Sequence, residues 1–232
     1  MRNRTHSWLL ALVSLQVAFC QDTGNTAPAD AASKSEDKVL DYVFSYLNMA
    51  STKKVTDFQP LTQAERNRLY GKSLVNPVWY LKGAFSAGQN QWKDKPVEWE
   101  QGASGYGRRY ADIMGQYAIQ KTTIFGLESL LHEDNRYFGS RKKGFWARTG
   151  YALKGSVLAR HDNGKRYPSV SLVTGYASGA FVSRLWQPTS SSTAGDGAVS
   201  FGISMANNLG FSVVKEFLPD LGRVLSKKRR KH

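Results

Sequence analysis

Residues 103–132 read ASGYGRRYADIMGQYAIQKTTIFGLESLLH. Tyr106, Ile113, Tyr117, Ile124 and Leu127 fall on related faces of a 3.6-residue spiral, which predicts one long helix, the longest in the chain. Downstream, NRYFGSRKKG at 135–144 breaks the pattern. Helical spacing resumes over 145–160, over 169–186 before Pro188, and over 197–218 before Pro219. Upstream, Thr62 followed by Glu65 is a capping box. It opens a helical stretch from Gln63 towards Trp92, with a boundary near Asn76–Pro77. Residues 93–101 are polar and turn-like, and 188–196 form a loop. The expected fold is mainly α, a compact bundle of about five or six helices.

Small residues recur at helical spacing. Gly175 and Gly179 are four apart, as are Gly202, Ala206 and Gly210, and Ala152, Gly155 and Ala159 continue the theme. Glycine inside a helix costs roughly 1 kcal/mol against alanine. Two settings justify it: close helix packing in a membrane, or relief of crowding in a soluble bundle. A β alternative exists for 197–214, where Val199, Phe201, Ile203 and Met205 alternate with smaller residues, as in a hairpin or barrel strand pair. Residues 167–183 and 197–214 carry no formal charge. They read as a buried bundle hairpin, with a membrane-inserted hairpin as the alternative.

The N-terminus reads as an export signal over residues 1–20. Arg2 and Arg4 lead an apolar run from Trp8 to Phe19, and Ala18 and Cys20 are the small residues that signal peptidase accepts. A lipid-anchored Cys20 is the rival reading, opposed by the bulk of Phe19 just before it. Residues 21–57 form an acidic flexible leader with a short amphipathic helix around Val39, Leu40, Val43, Phe44 and Leu47. The helical domain spans 58–222, and 223–232 is a basic tail.

Composition narrows the function. With 232 residues and 41% hydrophobic content the chain can bury a core, which excludes wholesale disorder. One cysteine excludes a disulfide framework and Cys-rich metal sites. The net charge of +14 divides into +2 for the signal, −2 for the leader, +8 for the body and +6 for the tail. Lys227, Lys228, Arg229 and Arg230 in that tail, with Arg141, Lys142, Lys143 and Arg148 beside Phe145, Trp146 and Tyr151, suit lipid phosphates at a membrane interface. In that segment the rings Trp146 and Tyr151 are expected in the core and the preceding cations at the surface. Nucleic acid is disfavoured as a partner because the basic tail shares a chain with an export signal. It stands as a second alternative through the tail.

Three polar clusters could carry chemistry: His132-Glu133-Asp134, His161-Asp162 and Asp196. Each lies at a predicted helix boundary, so the three could converge at one end of the bundle. Histidines with carboxylates can hold a metal or supply a base and its orienting partner. Each also has a structural reading. His161-Asp162-Asn163-Gly164 suits a turn, Asp196 suits a helix cap, and Glu133 and Asp134 suit pairing with Arg136, Arg141 or Arg148. No HExxH, Walker loop or GxSxG elbow occurs, and no cofactor is expected.

The runs LLHEDNRYF, GFWARTGYAL, ARHDNG and AGDGAVSFG are similar to an uncharacterised family of exported bacterial envelope proteins, over about residues 58–222. The resemblance implies a bacterial envelope protein and no particular activity. The PSGH signature of PAP2-type membrane phosphatases is absent, and Ser183-Arg184 lacks the following His and Asp. The expected protein is non-enzymatic and exported to the periplasm or outer envelope. Its expected partner is an anionic membrane surface or acidic envelope polymer. A metal-dependent hydrolase built on the three clusters is the alternative.

Overall fold

The computed structural model of this chain describes residues 58–140 and 142–229, with side chains described as far as Asp220. The expected export signal, Cys20, the expected leader, Arg141 and Arg230 lie outside the described residues, as do the side chains of Lys227, Lys228 and Arg229. The described residues belong to one compact unit.

Thr62 and Glu65 close the expected capping box. The Thr62 amide donates to the Glu65 carboxylate at 2.9 Å, and the Glu65 amide donates to the Thr62 hydroxyl at 3.3 Å. Helix α1 follows at Gln63–Leu74. Asn76 then accepts the Val78 amide at 3.0 Å, and Pro77 enters the first turn of α2, Pro77–Trp92. Proline is tolerated there because a first-turn amide has no intrahelical partner.

A short 3-10 turn at Val97–Trp99 leads to α3, Gly102–Leu131. The turn is folded around Arg109, which is fully buried. Its guanidinium donates to the carbonyls of Lys95 (2.9 Å), Glu100 (2.6 Å) and Pro96 (2.9 Å), and to the side chain of Gln91 (2.5 Å). Gly105 allows that wrap, since a Cβ there would sit 2.5 Å from the Trp99 carbonyl oxygen.

Helix α4 covers Phe145–Gly155 rather than 145–160. Beyond Ser156 the chain enters strand β2, Leu158–His161, and returns in β3, Arg166–Pro168. The turn between them is the one expected of His161-Asp162-Asn163-Gly164. The Gly164 amide donates to the His161 carbonyl at 2.8 Å, Asn163 accepts the Lys165 amide at 2.9 Å, and Gly164 has φ +76°. Strand β1, Glu133–Asp134, completes an antiparallel sheet in the order β1-β2-β3. Glu133 pairs with His161 and Asp134 with Arg160.

Helix α5 spans Val170–Val182, capped by Ser169, whose hydroxyl accepts the Leu172 amide at 3.1 Å. The last helix, α6, runs Ala194–Arg229 and is longer than α3. It overturns the β alternative for 197–214. On a helix, Val199 and Ile203 share one face while Phe201 and Met205 share the opposite one, so the same alternation fits either structure. The helix also passes through Pro219 instead of ending before it. Arg148 explains this: it donates to the Glu216 carboxylate at 2.9 Å and to Asp220 at 2.5 Å, clamping the turn that straddles the proline.

The architecture is therefore mainly α, six helices among the described residues with one small sheet. Helix α3 is central. Helices α1 and α2 pack on it from one side and α5 from another, while α6 packs on α5 and α4. Gly175 and Gly179 let α5 come within backbone contact of α3: a Cβ on Gly179 would lie 2.9 Å from the Gln116 carbonyl oxygen, and one on Gly175 3.0 Å from that of Gln120. No helix among the described residues is long and apolar enough to cross a membrane.

Candidate functional site

The small sheet gathers most of the predicted polar residues. His132 ends α3 in the left-handed conformation, φ +53°, and so turns the chain into β1. Glu133 is 1% exposed. Its carboxylate accepts the backbone amides of Val170 (3.1 Å) and Ser171 (3.0 Å) and the hydroxyls of Ser169 (3.1 Å) and Ser171 (2.5 Å). It therefore supplies acceptor and negative charge to the free amides that open α5. Arg66, also buried, donates to the Glu133 carbonyl and to that of Glu128 at 2.9 Å.

Asp134 is held by Arg136, which donates through its backbone amide (2.9 Å), its Nε (2.9 Å) and a terminal nitrogen (2.6 Å). On the solvent side, His132 Nδ1 lies 3.0 Å from Asp162, and an Arg66 nitrogen lies 3.8 Å from the same carboxylate. His161 meets the Tyr167 ring edge-on at 5.2 Å. The first two sequence clusters thus come together across the β1–β2 register.

Asp196 does not join them. It sits beyond the other end of α5, whose 13 residues span about 20 Å at 1.5 Å per residue. There it closes a second reciprocal cap. The Thr193 amide and hydroxyl donate to Asp196 at 3.2 and 2.5 Å, and the Asp196 amide donates back to Thr193 at 3.1 Å. The bonds from Thr193 hold the Asp196 carboxyl below the ordinary range. The helix begins earlier than the sequence suggested, so Asp196 lies within its first turn rather than before it. Among the described residues no three of His, Cys, Asp and Glu group as metal ligands would.

Below the sheet, Arg136, Arg160, Arg166, Tyr137, Phe138 and Tyr151 line a cavity of about 10 Å³, room for about one water. The Arg160 guanidinium lies 5.4 Å from the ring centres of both Phe58 and Phe138, and its Nε has no hydrogen-bond partner. Burial, and then the charge of Arg166, lower the Arg160 pKa. Arg166 donates to the Tyr151 hydroxyl at 2.7 Å.

The basic residues assigned to lipid phosphate are dispersed. Lys142 and Lys143 are exposed. Arg148 is tied to Glu216 and Asp220. Glu216 is buried, which alone would raise its pKa, yet bonds from Ser140, Tyr137 and Arg148 outweigh burial and lower it. Trp146 corrects the expectation of a core ring: it is 81% exposed. Arg148 turns towards α6, and Trp146, two residues earlier, lies about 160° round the helix from it.

Two features were not read from the sequence. The first is apolar exposure. Leu81, Phe85 and Trp92 form an exposed stripe along the outer face of α2, with Trp92 87% exposed. Val199, Ile203 and Val214 form another on α6, with Ala206 and Gly210 exposed between them. The second is a cluster of cationic and aromatic side chains from α2, α3 and α6. Lys82 lies 4.8 Å from the Trp79 ring and 4.2 Å from that of Phe211, and Lys121 lies 5.4 Å from Trp79 and 5.6 Å from Tyr117. Burial pushes Lys82 down to about 8. Burial, helped by the charge of Lys215, does the same to Lys121. Helical spacing showed these residues only as members of different helices, and their meeting depends on how the helices pack. Comparisons with protein-family models, curated proteins and solved structures find no match to this chain.

Proposed function

We propose that this chain is an exported, non-enzymatic binding or structural protein that works at an anionic membrane surface of the cell envelope. The observation that carries the reading is the exposed apolar stripe Leu81–Phe85–Trp92 on α2, with exposed Lys93 beside Trp92. Contiguous exposed apolar surface marks sites of membrane or protein contact. Tryptophan beside lysine suits the headgroup layer, where the ring meets acyl chains and the ammonium meets phosphate. Exposed Trp146 next to Lys142 and Lys143 repeats the combination on α4. The export signal supplies the compartment, and the basic balance of the body supplies the attraction, about 1 kcal/mol per basic side chain near an anionic surface.

Cell fractionation and vesicle sedimentation test this. The chain is expected in the envelope fraction. Purified protein is expected to pellet with phosphatidylglycerol vesicles at low salt and to be released at high salt. Trp92→Ser is expected to weaken pelleting at every salt concentration. Full release into the soluble periplasm, together with no pelleting at low salt, would overturn the reading.

A further inference from the structure

Strand register places three charged residues in a row across the small sheet. Asp134 stands opposite Arg160 on β2, and Arg160 stands opposite Arg166 on β3. Directly opposed residues share a face of the sheet, with Cβ atoms about 5 Å apart, and like charges so placed repel. Arg136 joins them: its guanidinium lies 5.6 Å from the Phe138 ring centre, and that of Arg160 lies 5.4 Å from the same ring. All four, with Tyr151, wall the cavity below the sheet. The one carboxylate among the walls is already engaged, since Asp134 accepts Arg136 Nε at 2.9 Å and a terminal nitrogen at 2.6 Å. Arg160 and Arg166 form no ion pair among the described residues. Arg166 donates to the Tyr151 hydroxyl and Arg160 to the Gly164 carbonyl at 3.2 Å, but the buried Arg160 Nε has no partner. Cations drawn out of water are normally paired.

We infer that this cavity binds a single halide-sized anion, such as chloride, among Arg136, Arg160 and Arg166. Size favours a halide over an oxyanion. The cavity of about 10 Å³ has room for about one water-sized particle, whereas phosphate and sulfate carry four oxygens around a central atom. Charge favours it over water. A guanidinium offers donors and no acceptor. A water among guanidiniums finds partners for its lone pairs but few for its two hydrogens, while a halide only accepts. Three arginines and one aspartate leave two positive charges on the walls, and one anion halves that excess. The membrane-surface reading relies on none of these residues, so either can fail alone.

Thermal unfolding of the full chain in sodium gluconate and in sodium chloride, at one ionic strength, tests it. An ion that binds only the folded state raises the melting temperature. Replacing gluconate by about 200 mM chloride is expected to raise it by about 3 °C, and bromide is expected to do the same. Arg160→Gln and Arg166→Gln are each expected to abolish the difference, and Lys143→Met, on the open surface, to keep it. Crystals of the unaltered protein grown in sodium bromide locate the ion without a substitution: anomalous scattering is expected to peak inside the cavity, against the Arg160 guanidinium. Arg166→Gln and these crystals carry the test should Arg160→Gln fail to fold. Equal melting temperatures in gluconate and chloride, or a response that survives both arginine substitutions, would overturn the inference. So would a water in the cavity with no anomalous peak. A peak without a chloride response in solution would mark an adventitious ion only and overturn it too. A sulfate response lost in both arginine variants would show a site for oxyanions and overturn the assignment to a halide.

Discussion

Gly175 and Gly179 on α5 and Gly202, Ala206 and Gly210 on α6 share one spacing but have opposite surroundings. The first pair meets α3 so closely that added Cβ atoms would press on the backbone carbonyls of Gln116 and Gln120. On α6, an added Cβ at Gly202 or Gly210 would meet nothing within 4 Å. The same motif is therefore a packing device in one helix and bare surface in the next. Spacing reports that a close approach is possible, and only the neighbouring helix makes it happen. Helix α6 is held further along its length, where Glu216 binds Ser140, Tyr137 and Arg148.

The strongest way to break this contrast is Gly175→Leu. It is expected to lower stability by about 3 kcal/mol, the upper range for overpacking a tight core. Urea unfolding checks it, and a loss below 1 kcal/mol would mean that α3 and α5 can move apart freely. Next is Glu216→Gln, which attacks the anchored turn of α6. Leaving Arg148 and Tyr137 with a weaker acceptor is expected to cost about 2 kcal/mol at neutral pH. Because the folded Glu216 pKa is lowered, its contribution is present above the unfolded value and is lost as pH falls through the folded one. Acid unfolding of the variant, followed by circular dichroism, is expected to show a shallower slope in that window.

Smaller and opposite in sign, Gly202→Ala and Gly210→Ala are expected to stabilise by up to about 1 kcal/mol each, because alanine favours the helix and has open space there. A loss of stability in either would show that this face is covered in solution, and sedimentation velocity would then show whether by a second copy. The smallest effect is Asp196→Asn. The Asp196 carboxyl is held low, so the cap is intact above its unfolded pKa and weakens only as pH falls through the folded value. A thermal midpoint that differs from the parent at neutral pH and converges with it in acid is the expected outcome.

Local signals in the sequence located much of this. Thr62/Glu65 and Asn76-Pro77 involve neighbours three residues apart or fewer, so their geometry is written in the residue order. The helical periodicity of 103–132 needed only one face of one helix. The sheet escaped because strands of two to four residues are too short to show alternation. The turn at His161–Gly164 was read, but the strands it joins were not. At the candidate site, His132 and Asp162 do meet, but Asp162 arrives through the β1–β2 pairing and not at the end of a helix, so the helix boundaries expected from the sequence did not supply the contact. The expected arrival of Asp196 does not occur, because α5 carries the chain away before Asp196 is reached. The contact of Lys82 and Lys121 with the Trp79 ring was invisible for a related reason: the two lysines stand on separate helices, and no spacing along the chain links them.

Glu133 has a consequence for the order in which the fold can assemble. It fastens the end of α3 to the start of α5 across 37 residues, through the Val170 amide and the adjoining serines. Residues 135–168 therefore leave and return to one place, where the Glu133 carboxylate and the Asn135 amide, which donates to the Ser171 hydroxyl at 2.8 Å, close the excursion. Helix α5 cannot gain this carboxylate until the ends meet. Its first turn should consequently order late, at a loop-closure entropy that grows only slowly with length. The excursion could therefore change in length while its two ends stay fastened.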